Sequence, residues 1–168
     1  VEYLSCVEIA VGGEVEEFKR ISSEVVYGLS RVEVGGGRIR GDGSVGAWAA
    51  KALTDYGCLP REKIGRYDFT EFSERTAREL GANGLPDDLE SAAKLHICRA
   101  VTQVSSFREA MSALSNGYPV AVCSDQGFSM ERDRDGFCSP RGTWNHCMCF
   151  IGGTKKGRAG LCCLQSWG

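Results

Sequence analysis

The chain keeps its two kinds of hydrophobic pattern apart. Helical stripes occupy the stretch up to Gly117, and short apolar runs of strand type follow Pro119. Alternating strands and helices would lead to a doubly wound parallel sheet; helices first and strands afterwards lead to an α+β fold with an antiparallel sheet. With 168 residues the chain is expected to form one domain, 1–168, with a substantial core, or to be a piece of a longer chain.

The stripes are specific enough to place. Val15, Phe18, Ile21, Val25, Val26 and Leu29 recur at helical spacing over Glu14 to Leu29, although Val25-Val26-Tyr27 also suits a strand. Gly35-Gly36-Gly37 breaks the chain. Val45, Trp48, Ala49, Ala52, Leu53 and Tyr56 mark a second helix, whose alanines suggest burial. Phe69, Phe72, Thr76, Ala77 and Leu80 mark a third, stopped by Gly81, and Pro86 opens a short fourth running to Leu95. Ser106 and Glu109 form a capping box ahead of Ala110, Met111 and Leu114. The runs Val120 to Cys123, Cys147 to Ile151 and Leu161 to Leu164 read as strands. The polar stretch Asp125 to Thr143, with three glycines and a proline, reads as a long loop of functional type.

Charge and cysteine content narrow the function classes. A net charge of −2 argues against an electrostatic nucleic-acid binder. No run of 18 apolar residues exists, so no membrane span is expected. Val1-Glu2-Tyr3-Leu4 does not look like the start of a signal peptide, which leaves the cytoplasm or a virion as the expected location. The nine cysteines mostly sit in apolar runs and are expected to be buried free thiols in a reducing compartment. Cys147 and Cys149 share a strand face but lack Cys-x-x-Cys spacing, so no metal and no cofactor is expected.

The residues that carry chemistry lie near the C-terminus. His146 opens the apolar run Cys147-Met148-Cys149-Phe150-Ile151, and the next run leads into Gln165-Ser166-Trp167-Gly168. A base on one strand and an amide on the next suit nucleophilic catalysis, in which a third group orients the base. The arrangement resembles the papain-like cysteine peptidases, whose closing motif reads Asn-Ser-Trp-Gly. Gly117-Tyr118-Pro119-Val120 is similar to the Gly-Pro-Val segment that opens the strand region of that family. The resemblance covers roughly residues 41–57 and 116–168. It implies a central helix packed on an antiparallel sheet, a nucleophile at the helix start, His146 as base, Gln165 in place of the orienting Asn, and Trp167 shielding that amide. A peptide or amide would be the substrate or ligand.

Where the resemblance implies a thiol there is none. In one register Gly43-Ser44-Val45-Gly46 puts Ser44 at the nucleophile position, with Ser44 also opening and capping the helix. In the other, Gly46-Ala47-Trp48-Ala49 puts Ala47 there. The Gln that completes the family's oxyanion hole corresponds to Arg38 or Gly41, with Arg38 or Arg40 as substitute donors. A serine hydroxyl is far harder to ionise than a thiol, whose reference pKa is about 8.5. An engineered Cys replacement, a natural Ser variant and a natural pseudo-enzyme all fit. The expected function is an inactive or weak papain-like hydrolase scaffold; the alternative is a non-catalytic peptide-binding or structural module of a larger bacterial or phage assembly.

Two further patterns point elsewhere. Gly41-Asp42-Gly43-Ser44-Val45-Gly46 spells G-x-G-x-x-G, but Gly35 to Arg40 makes a poor strand to precede a nucleotide-binding turn. His96 reads as a structural or exposed residue.

Overall fold

The computed structural model describes residues 19–164. They form a mixed helical and antiparallel structure of α+β type, in two compact units divided between Thr102 and Gln103.

The first unit is helical. Helix α1, Ser23–Leu29, begins where Ser22 accepts a hydrogen bond from Val25 N, and it continues into a wider π-helical turn, Ser30–Val34. The strand alternative for Val25-Val26-Tyr27 is therefore overturned: both valines are buried on the helix. Val15 and Phe18 of the expected stripe lie outside the described residues. Helix α2, Gly46–Asp55, buries only Ala52, so the expected burial of the whole helix does not hold. Ala49 and Ala50 are half-buried and Ala47 is exposed, because only one stripe meets the core. A two-stranded ribbon follows, β1 (Lys63–Ile64) with β2 (Tyr67–Asp68).

Helix α3, Glu74–Asn83, starts at a Ser73 cap that accepts from Thr76 N. Phe69 lies ahead of it and is buried in its own right, whereas Phe72 is 61% exposed. Gly81 does not stop this helix. Its lack of a side chain instead admits the Tyr27 ring, which would lie 2.5 Å from a Cβ there. Gly84, with φ 82°, ends the helix. Helix α4, Asp87–Ala93, has Pro86 as its cap residue and passes into a 3₁₀ turn, Lys94–His96, on which His96 is exposed. The core joins Val25 and Leu29 of α1, Ala52 of α2, Leu80 of α3, Leu89 and Ala93 of α4, and Leu59, Phe69 and Leu85 from the connections.

The second unit is a helix and a sheet. Helix α5, Phe107–Ser115, starts at Ser106, whose hydroxyl accepts from Glu109 N at 3.2 Å. Glu109 answers one residue early, accepting from Ser105 N at 2.7 Å. Strands β3 (Val120–Arg132), β4 (Cys138–Thr154) and β5 (Gly160–Leu164) form an antiparallel sheet in that order. The expected loop from Asp125 to Thr143 is thus a correction: most of it extends the β3–β4 hairpin, closed by a turn over residues 133–137. Asp133 holds that turn by accepting from Asp135 N and Phe137 N at 3.0 and 2.9 Å. The pairing survives polar sequence because Gln126, Phe128 and Met130 alternate with Gly127, Ser129 and Glu131, and three register shifts absorb the mismatch. Among the described residues of this unit, Met148 and Ala110 are the buried apolar ones.

No helix among the described residues is long and apolar enough to cross a membrane. Of the eight cysteines described, Cys58 alone is buried and none is in a disulfide. The expectation of buried thiols fails because five of the others fall on strand residues that face solvent.

Candidate functional site

The segment that leads into α2 is a loop without a strand, so the nucleotide-binding reading of its glycines finds no support in the backbone. Gly41 and Gly43 adopt φ 84° and 101°, conformations that side chains disfavour. Arg31, at 9% exposure on the π-helical turn, fastens this loop. Its guanidinium donates to the carbonyls of Gly43 and of Ile39 (3.0 Å), and its Nε donates to Gly81 O at 2.9 Å. It also lies 5.2 Å from the centroid of the Tyr27 ring. Tyr27 in turn accepts from Gly43 N at 3.1 Å through its hydroxyl.

Ser44 sits at the end of this fastened loop. It does not cap α2: Val45 is the cap residue, with extended backbone and no side-chain hydrogen bond to the helix. The Ser44 hydroxyl meets that of Ser30 at 2.8 Å. Ser30 spends its one hydroxyl hydrogen on Tyr27 O, 2.9 Å away, so Ser44 is the donor of the pair. The proton that a base would have to remove is already committed to Ser30. Ala47, by contrast, lies in the first turn of α2, exposed, where the N–H groups and the helix dipole favour an anion. Arg38 is exposed; its Nε donates to Gly35 O at 2.7 Å and its guanidinium stacks on Trp48, 5.0 Å from the ring centroid. Arg40 is exposed on the same loop, and Gly41 offers only its backbone.

Beside this loop, α1 and α3 border an open hollow of about 360 Å³. Tyr27, Ala77 and the exposed ring of Phe72 line it, and Asp42 and Arg78, paired at 3.4 Å, stand among its lining residues. Glu24 also lines it, with its carboxylate fully buried. Burial acts to raise its pKa. The N–H groups of Glu24 and Ser73, the Ser22 hydroxyl and the Arg61 guanidinium outweigh that and hold it below the ordinary carboxylate range.

His146 belongs to the second unit. It lies half-buried on β4 opposite Ser124, with its ring T-shaped against Trp144 at 5.8 Å between centroids, and Trp144 is 5.8 Å from Phe128. Strand β5 pairs with β4 through Cys149 opposite Leu164 and Phe150 opposite Cys163. Gln165 and Trp167 lie outside the described residues. Ser44, Ala47 and Arg38 therefore belong to one unit and His146 to the other. Among the described residues no cluster of three metal-ligating side chains occurs.

Sequence reasoning missed Ser30, Arg31 and Tyr27. An arginine set between Leu29 and Val32 in an apolar stretch was the available signal: a charge on a buried helix face needs acceptors, and carbonyls of a glycine-rich loop supply them.

No family model, curated protein or solved structure matches this chain.

Proposed function

We propose that this chain is a papain-like scaffold that has no hydrolytic nucleophile and serves as a non-catalytic peptide-binding module. One observation carries the reading: Ala47 occupies the first turn of α2, while Ser44 lies before the cap with its proton given to Ser30. A thiolate–imidazolium site needs its nucleophile where the helix dipole acts, and alanine cannot serve there. The papain-like part rests on His146 in an antiparallel strand whose neighbour, β5, leads directly to Gln165-Ser166-Trp167-Gly168. The binding part rests on the open hollow beside the Gly41–Gly43 turns, with an exposed aromatic ring and a charged pair to engage an extended peptide.

The test incubates the protein with a mixed library of extended peptides, then reads retention and cleavage in one sample by mass spectrometry. Peptides retained and uncut, with retention lost in Phe72→Ala, are the expected result. Cleavage that disappears in Ser44→Ala or His146→Ala overturns it and returns the chain to the hydrolases.

A further inference from the structure

The hairpin of the second unit puts two cysteines face to face. Cys123 on β3 and Cys147 on β4 are direct cross-strand partners, both exposed. Directly opposed residues on antiparallel strands stand about 4.5 or 5.5 Å apart at Cα, according to the hydrogen-bonding of the pair. Either separation falls within the range of roughly 4.4–6.8 Å that a disulfide spans. Cys149, two residues along the same strand face, is opposed by Ala121 and Leu164.

We propose that Cys123 and Cys147 are a redox modification site: a reversible cross-strand disulfide, closed by exchange with a low-molecular-weight disulfide of the glutathione type. The Cys147 thiolate attacks one sulfur of the glutathione disulfide, forming a mixed disulfide and releasing one glutathione thiolate. Cys123 then loses its proton to solvent and attacks the Cys147 sulfur. The second glutathione leaves as thiolate, and the protein disulfide remains. Two protein thiols are oxidised and one glutathione disulfide is reduced to two thiols.

Partial desolvation, then the hydrogen bond and the charge of Cys147, push the Cys123 thiol up to about 12. The exchange balances in the same way with the two thiols interchanged. Once Cys147 is in the mixed disulfide, its negative charge is gone and Cys123 ionises more readily. The closed disulfide staples the rung next to Ser124 and His146.

The intact chain is equilibrated in glutathione buffers of rising disulfide content, quenched by alkylation, cut with trypsin and read by mass spectrometry. The expected product links the peptide holding Cys123 to that holding Cys147 and Cys149. It should form at a glutathione disulfide level about tenfold below that which glutathionylates Cys138 or Cys162, because the second step is intramolecular. The link should persist in Cys149→Ser and vanish in Cys147→Ser, and Cys123→Ser should leave Cys147 glutathionylated. A link lost in Cys149→Ser, or one that forms no earlier than modification of Cys138 and Cys162, overturns the proposal. Should either variant at the pair fail to fold, fragment ions of the wild-type and Cys149→Ser links decide the assignment.

Discussion

Arg61 meets the fully buried carboxylate of Glu24 at 3.2 Å, and the same carboxylate accepts from the Ser22 hydroxyl at 2.9 Å and from Ser73 N at 2.9 Å. One acid thereby ties α1 to the residues that cap α3. Removing the charge should be costly. Glu24→Gln is expected to lower unfolding free energy by about 3 kcal/mol, because Arg61 and Ser73 N lose a charged acceptor in a dry site. Urea titration with and without the substitution measures this.

The same carboxylate sets a pH dependence. Its pKa is lower in the folded chain than the unfolded value of about 4.3. The stabilisation is therefore complete above that value and is lost as pH falls through the folded one. Thermal midpoints recorded from pH 6 down to pH 3 should decline, and Glu24→Gln should flatten the decline. An equal slope in both proteins would assign acid sensitivity to other carboxylates.

Gly57 leaves α2 with φ 88°, and a Cβ there would lie 2.0 Å from Ala93 O. Neither the backbone angle nor the carbonyl of a buried residue can give way cheaply. Gly57→Ala is expected to cost about 3 kcal/mol, enough to shift the thermal midpoint by several degrees. Gly36→Ala, with φ 64° but open space around it, should cost about 1 kcal/mol. The difference between the two separates contact from conformational strain.

Thiols introduced at positions 44 and 47 should behave differently. Alkylation of Ala47→Cys is expected to persist well below pH 8, since the thiolate sits in the first helical turn. Ser44→Cys should follow an ordinary thiol profile, with labelled positions identified by mass spectrometry. In a papain-like arrangement the Ala47→Cys profile rises toward ordinary values when His146→Ala is added. A profile indifferent to His146 would set the papain-like reading aside.

The helical half of the chain was readable because its stripes bury against one another within short reach. Val25, Leu29, Ala52 and Leu80 all appear in the core at the positions their spacing marks. The errors have local causes. Gly81 looks like a stop signal in sequence, yet it is a close-approach site for the Tyr27 ring, which only the packing of α1 on α3 reveals. Residues 125–143 look like a loop because glycines, a proline and charges outnumber apolar residues. A hairpin with solvent on both faces needs only alternation and a good turn, and Asp133 provides the turn. At the candidate site the pattern marked Ser44 and His146 but could not show which way a hydroxyl donates. That depended on Ser30 and Tyr27, which carry no motif.

The register shifts along β3 have an effect beyond the hairpin itself. In the sheet order β3 and β5 are the outer strands, and an outer strand offers a row of alternating donors and acceptors to any extended chain that drifts against it. The last break, between Phe128 and Arg132, sets four residue steps of β3 against two of β4, so an incoming strand matched to Val120–Phe128 falls out of phase further on. The irregular pairing of this stretch also makes it a poor template for self-association.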